Sequence, residues 1–349
     1  MKRNYYERLI SYSEKGIIAT ILRGLLSLLA LIYLIILRIR KILYALRIIK
    51  RNKLPCTVIS VGNISLGGTG KTPFVEFISK LISEKGMKTA IVTRGYKHAG
   101  AAASDEALLL AEKIPQIPLF IAANRYLGGK QAIKETKAQC VVLDDAFQHW
   151  RIERDLDIVL IDALNPFGYG RLFPRGMLRE PILNLSRADL FVITKADFCP
   201  ENVLQKLRDF LANKFPDIPQ VISCHKPVNL GEISKSKKVS LEYLRGKRIS
   251  AFCGIGNPES FQLILNKLCA EVIAFNVFSD HFLYSENLLS NIEKEAALLK
   301  SEAIVTTHKD AVKVRSHNFS LPAFYLEIEI EIMQDSEIFD NLIAEVIHK

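Results

Sequence analysis

Residues 57–82 read TVISVGNISLGGTGKTPFVEFISKLI: apolar and β-branched as far as Val61, glycine-rich from Gly62 to Gly70, then apolar again at helical spacing. Strand, glycine-rich turn and helix follow one another without a break. The turn, Ser65-Leu66-Gly67-Gly68-Thr69-Gly70-Lys71-Thr72, fits the pattern G-x-x-x-x-G-K-[ST] with Ser65 in the first position. Glycines let such a loop curl until successive backbone N–H groups point at phosphate oxygens, and the following helix adds its positive N-terminal end. Ser65–Thr72 is therefore the candidate nucleotide loop, with Lys71 set against the β- and γ-phosphates and the Thr72 hydroxyl set to ligate Mg²⁺.

Working outward, CVVLDDAFQHW (140–150) is an apolar strand that ends in two carboxylates, Asp144 and Asp145. At the C-terminal edge of a parallel sheet such carboxylates lie where ligands bind, and hard cations favour their oxygens. Further apolar runs at 89–95, 157–162 and 189–194 are continuous rather than alternating. That pattern predicts strands buried on both faces, hence a mostly parallel sheet with helices on both sides, an α/β fold of the P-loop NTPase type. A second set of runs at 249–254, 271–278, 303–307 and 323–330 predicts a smaller C-terminal α/β domain. Between the sets, GEISKSKK (231–238) reads as a linker or hairpin. The expected boundaries are an N-terminal apolar segment over 1–53, a kinase-like domain over 54–215, and a smaller domain over 216–349 that closes over the active site.

The chain has 349 residues, enough for about two domains, with 47 Lys+Arg against 37 Asp+Glu. Residues 1–53 carry 12 basic and 2 acidic side chains, so the remainder is balanced and the net charge of +10 is no nucleic-acid signature. The segment 17–37 carries one charge, Arg23, and is followed by seven cations up to Lys53. Its uncharged core, Gly24–Leu37, has 14 residues, short of the roughly 20 that span a bilayer. An interfacial or shallowly inserted helix is expected, with Arg40, Arg47 and Arg51 sharing a face toward anionic headgroups; a true span and a buried helix hairpin of a soluble fold are the alternatives. The six cysteines show no C-x-x-C spacing and read as small buried residues of a reducing compartment.

Other chemistry-bearing residues fall where loops leave strands: Arg94, Asp105 in SDEALLLA, Asp280 and His281 in SDHFLY, and Lys309 and Asp310 in THKDAVK. Asp105 also suits a helix N-cap, and a lone histidine such as His281 is usually structural. The loop GRLFPRGMLREP (170–181) concentrates Arg171, Arg175, Arg179 and Glu180, a density that suits phosphate. TKAD (194–197) is close to the N-K-x-D base-reading element of GTPases, with threonine in place of asparagine.

Taken together, the chain resembles the tetraacyldisaccharide 4′-kinases of lipid A biosynthesis. The matching elements are VGNISLGGTGKTP, TRGY, SDEALLLA, NRYLGG, VVLDDAFQHWRIERDLDIVLID, GYGRLFPRGMLREP, GIGNP, FSDHFLY and THKDAVK, in order along nearly the whole chain. The resemblance implies an enzyme on the cytoplasmic face of the bacterial inner membrane. It would use ATP and Mg²⁺ to phosphorylate the 4′-hydroxyl of an acylated glucosamine disaccharide 1-phosphate, giving lipid IVA. It further implies that Asp105 and His281 form a catalytic pair, that Lys71 and Thr72 bind phosphates and metal, and that Asp144 and Asp145 lie at the metal. Arg94, Arg125, Gln148, His149, Arg179 and Glu180 would position substrate or charge. This sequence departs from the usual motifs at Ser104, Ala107, Ala146 and Phe282. A P-loop GTPase or ATPase switch, or a metal-insertion chaperone, is the competing reading; a switch needs neither an apolar, cationic anchor nor a second-domain histidine.

Overall fold

The computed structural model describes residues 5–95, 104–234 and 237–347. In chain order the elements are α1 (Tyr5–Ile10), α2 (Ile17–Ala45), β1 (Thr57–Asn63), α3 (Lys71–Glu84), β2 (Thr89–Thr93), α4 (Asp105–Lys113), β3 (Leu119–Ile121), α5 (Arg125–Thr136) and β4 (Cys140–Asp144). They continue with β5 (Leu156–Asp162), β6 (Leu190–Thr194), α6 (Glu201–Lys214), β7 (Gln220–Glu232), β8 (Lys238–Val239), β9 (Arg248–Cys253), α7 (Pro258–Lys267) and β10 (Glu271–Val277). The last are α8 (Glu286–Leu298), β11 (Ala303–Thr307), α9 (His308–Val314), β12 (Ala323–Gln334) and α10 (Ser336–Ile347).

Contacts divide the chain into two units that do not follow chain order. The first comprises residues 1–94, 116–224 and 332–349; the second comprises 95–115 and 225–331. The helix that begins at Asp105 thus belongs with the C-terminal strands, and α10 returns to the first unit. The reason is packing: α4 lies against α9 within the second unit, whereas Phe339 of α10 stacks on Phe77 of α3 in the first.

In the first unit the strand order is β7-β6-β5-β1-β4-β2-β3, with β1 paired in parallel to both β4 and β5. Every residue of β2, β4, β5 and β6 is buried. Strands covered on both faces need no polar alternation, which is why these runs are continuously apolar. With all strands parallel, the C-terminal ends of β1, β2, β4, β5 and β6 lie along one edge. That edge carries the loop 64–70, Thr93, Asp144, Asp162 and Thr194.

In the second unit β10, β9, β11 and β12 run parallel in that order. Their core joins Phe252, Ile304 and Ala323 to Leu289 and Ile292 of α8 and to Ala311 and Val314 of α9. GEISKSKK resolves into the hairpin alternative, with Leu230 opposite Val239 and Gly231 opposite Lys238 in antiparallel register. Residues 235 and 236 of that stretch, and Tyr96 of TRGY, lie outside the described residues.

The N-terminal segment differs from expectation in two respects. Helix α2 runs unbroken for 29 residues, about 43 Å, because Arg38, Arg40 and Lys41 are good helix formers and no proline interrupts them. By length and composition it suffices to cross a membrane. The three arginines do not share a helical face. The helix ends at Ala45, Arg47 takes a left-handed backbone conformation, and Arg40 turns inward. The surface of α2 is instead apolar, with Ile21, Leu25, Leu28, Ile32, Ile35 and Ile39 all exposed. Among the cysteines, Cys140, Cys224 and Cys253 are buried, whereas Cys269 is exposed at the end of α7.

Candidate active site

The loop after β1 is shaped by close approach and left-handed backbone. A Cβ on Gly62 would fall 2.6 Å from the backbone nitrogen of Phe147, so only glycine lets β1 pass the segment that follows Asp145. Gly67 and Gly70 hold φ of 114° and 86°, which side chains disfavour. Gly70 is also the N-cap of α3 and offers no side-chain cap, so the first N–H groups of this 14-residue helix face the loop interior.

A second segment is laced to the loop. Leu66 N–H donates to the Met177 carbonyl at 2.7 Å, and Arg179 N–H donates to the Ile64 carbonyl at 2.8 Å. These bonds bring the arginine-rich loop 170–181 to the nucleotide loop and fix Arg179. Its guanidinium reaches Asp145 Oδ1 at 2.7 Å and Gln148 Oε1 at 3.2 Å. Lys71 Nζ lies 3.7 Å from the same Asp145 oxygen and donates to Asn63 Oδ1 at 3.3 Å. Gln148 in turn donates to the Asn63 carbonyl at 2.8 Å. Burial opposes ionisation of Asp145, but the neighbouring charges of Lys71 and Arg179 outweigh it and hold its pKa below the ordinary value. Asp144, one residue earlier, accepts from the Thr93 hydroxyl at 2.9 Å.

The remaining expected residues divide by exposure. Arg94 is exposed at the end of β2. Arg125 is buried and donates to the carbonyls of Asp144, Ala122 and Ala123, tying the ends of β3 and β4 together. Glu180 is buried against Arg187 at 2.9 Å and Asn184 at 2.8 Å. Arg187 is itself stacked on Phe147 and Trp150. His149 is pushed down to about 4 by burial and by the cations Arg125, Arg154, Arg40 and Arg151, so it is neutral at pH 7.

Helix α2 meets this cluster directly. Tyr33 donates its hydroxyl to the Arg179 carbonyl at 2.8 Å, and Arg40 donates to the Gln148 carbonyl at 2.6 Å while stacking on Trp150.

The second unit holds Asp105 and His281 together. Ser104, not Asp105, caps α4: its hydroxyl accepts from Ala107 N–H. Asp105 is left as the first helical residue, with its carboxylate available to other partners. His281 Nδ1–H donates to Asp105 Oδ2 at 3.2 Å, and His281 Nε2 lies 3.3 Å from Glu106 Oε1. With a carboxylate at each ring nitrogen, the pKa of His281 is raised, chiefly by the bond to Asp105. Lys313 Nζ sits 3.2 Å from the same Asp105 oxygen and 2.9 Å from Asp310, which is fully buried. Lys309 bridges Glu106 at 2.8 Å and Asp280 at 2.9 Å. Burial raises the pKa of Asp105, but His281, Lys313 and Lys309 together overcome this and bring it to about 2. Phe282 stacks on Phe278.

Lys309 was singled out beside its strand, whereas Lys313 and Glu106 were legible only as parts of motifs. The i,i+4 spacing of the two lysines on α9 was the available signal, since it sets both ammoniums on one helix face. Asn63 and Thr93 gave none, because their role depends on strand order. The residues at the first-unit edge that could hold a metal are Thr72, Asp144 and Asp145. Two carboxylates and a hydroxyl, completed by phosphate oxygens and water, suit Mg²⁺, which rarely takes an all-protein cage. Among the described residues no cluster of three or more His, Cys, Asp or Glu side chains forms a metal site.

The family profile described as tetraacyldisaccharide-1-P 4′-kinase matches residues 22–348. A tetraacyldisaccharide 4′-kinase of Halothermothrix orenii is 34% identical, over 99% of this chain and 97% of its own length. One from Syntrophus aciditrophicus is 36% identical over 92% of each chain. Among solved structures, LpxK from Aquifex aeolicus in complex with ATP is similar, with a TM-score of 0.72 and 28% identity over 93% of this chain and 99% of that one.

Proposed function

The chain belongs to the tetraacyldisaccharide-1-P 4′-kinase family, and from that membership we propose that it transfers the γ-phosphoryl group of ATP to the 4′-hydroxyl of tetraacyldisaccharide 1-phosphate, giving lipid IVA. The observation that carries the reading is the convergence of Lys71, Arg179 and Asp145 at a loop whose glycines and uncapped helix suit a polyphosphate. The match extends through the second unit, which bears Asp105 and His281, and a nucleotide switch has no need of that pair.

Lys71 and the N–H groups at the start of α3 bind the nucleotide phosphates. Arg179 stands beside them, held by its own backbone bond to Ile64, and neutralises charge that develops on the transferred group. Mg²⁺, when bound, would be held by Thr72 with Asp144 or Asp145 and would supply further charge neutralisation. Asp105 accepts the proton of the attacking hydroxyl, and His281 orients its carboxylate. A carboxylate with a pKa of about 2 is a weak base. That weakness matters little here, because in a loose phosphoryl-transfer transition state the nucleophile's proton leaves late, and placement counts for more than basicity.

The exposed apolar surface of α2 supports attachment to the membrane that holds the substrate's acyl chains. We place the enzyme on the cytoplasmic face of the inner membrane, where ATP is present, with the cations Arg38, Lys41, Arg47 and Arg51 at anionic headgroups. Incubation with ATP, Mg²⁺ and acceptor should yield a bis-phosphorylated lipid, and an acceptor lacking the 4′-hydroxyl should yield none. Phosphorylation of the deoxy acceptor would overturn the assignment.

A further inference from the structure

The TKAD element is absorbed by none of the steps above, yet it touches the nucleotide loop. Thr194 closes β6 and donates its hydroxyl to the Thr69 carbonyl at 3.1 Å. Lys195 follows with φ of 57°, a left-handed conformation that is uncommon for a non-glycine residue. That turn sends its side chain into the protein, where the residue is 1% exposed. Its ammonium donates to the Gly68 carbonyl at 2.6 Å and to Asp162 Oδ2, at the end of β5, at 2.5 Å. Asp162 is fixed in turn by Leu164 N–H, which donates to its other oxygen at 3.0 Å.

We propose that Thr194 and Lys195 are positioning residues for the nucleotide phosphates: Thr194, by holding the Thr69 carbonyl, keeps Gly70 N–H turned toward the ligand, while Lys195 pins the Gly68 carbonyl next to a Thr69 N–H that donates within the loop to the Gly67 carbonyl. The argument is one of peptide geometry. In a trans peptide the carbonyl and the next N–H point in opposite directions. A Thr69 carbonyl held by Thr194 therefore turns Gly70 N–H away from β6, at the N-cap of α3 where phosphate oxygens gather. A glycine-rich loop has little stiffness of its own, so external ties must supply the order that binding would otherwise cost. The buried Lys195–Asp162 pair gives one tie a rigid anchor. The element thus resembles a base reader in sequence while its first two residues serve the phosphates.

This inference rests on the nucleotide-loop reading of Ser65–Thr72. The test is steady-state kinetics of full-length Thr194→Val, Thr194→Ser and Lys195→Met proteins, with Lys71→Ala in parallel, and ADP affinity measured by calorimetry. Thr194→Val removes one hydroxyl at nearly constant volume, so it remains informative if Lys195→Met, which strands Asp162, does not fold. Thr194→Val is expected to raise the KM for ATP and weaken ADP binding about tenfold, with the KM for the lipid acceptor within about twofold of wild type. Thr194→Ser should recover the wild-type KM for ATP. A folded Thr194→Val protein with an unaltered KM for ATP would overturn the proposal. So would a lowered melting temperature without any change in nucleotide affinity, the signature of a merely structural bond. If Lys71→Ala also binds and turns over ATP normally, the loop assignment itself has failed; if Lys71→Ala loses activity and Thr194→Val does not, only the positioning role has failed.

Discussion

His281 Nδ1 lies 3.2 Å from Asp105 Oδ2, and the two residues are 176 positions apart in the chain. Asp105→Asn keeps the shape and the hydrogen bond but removes the proton acceptor. It is expected to lower kcat by about 10²- to 10⁴-fold while leaving the KM for ATP little changed. His281→Asn should cost less, because Asp105 retains Lys313. Initial-rate kinetics with both substrates varied checks both, and a normal kcat for Asp105→Asn would remove Asp105 from the mechanism.

The charge around Asp105 sets a pH dependence. Its pKa is depressed to about 2 in the folded protein, so this pair's contribution to stability is present above the ordinary value of 3.8 and is lost as pH falls toward 2. The pKa of His281 is raised, so its contribution is complete below 6.5 and is lost as pH rises through that raised value. Between about pH 5 and 6.5 kcat should therefore show no acid limb from Asp105. Lys313→Met removes a cation 3.2 Å away, and the acid limb of the kcat profile is expected to move upward. An unmoved limb in a folded variant would show that Lys313 does not tune this carboxylate.

Arg179 and Lys71 share one oxygen of Asp145. Lys71→Ala is expected to reduce kcat by about 10³-fold or more, as for the loss of a phosphate clamp in a desolvated site. Arg179→Lys should be impaired as well, because one ammonium cannot reach both Asp145 and Gln148 in place of the guanidinium fork. Wild-type turnover by Arg179→Lys would show that only its charge matters.

Deleting the N-terminal segment would be a blunt experiment, since Tyr33 and Arg40 bond to the backbone of Arg179 and Gln148. Replacing the exposed Leu28, Ile32, Ile35 and Ile39 by serine leaves those bonds intact. It should shift the protein from sedimenting with anionic vesicles to the supernatant, with ADP affinity retained. Undiminished vesicle binding would mean that other surfaces hold the membrane.

Much of the first unit was readable because its determinants are local. The runs that became β1, β4, β5 and β6 are largely apolar without alternation, and Gly67, Gly70, Lys71 and Thr72 carry their chemistry within eight residues. Strand β7 was missed because Pro227 and Asn229 interrupt its pattern, and β3 because it has only three residues. Pairings that depend on strand order, such as Lys195 with Gly68 or Thr93 with Asp144, leave no periodic trace. The N-terminal helix is longer than its uncharged core for a different reason: it continues through Arg38, Arg40 and Lys41.

Single-turnover incubation of purified protein with γ-labelled ATP, Mg²⁺ and tetraacyldisaccharide 1-phosphate tests the central claim most directly, by comparing ADP formed with label recovered in lipid. The account predicts one labelled 4′-phosphate for each ADP, and neither product in the Lys71→Ala protein. ADP accompanied only by labelled free phosphate would contradict it, and would identify an ATPase in place of a lipid kinase.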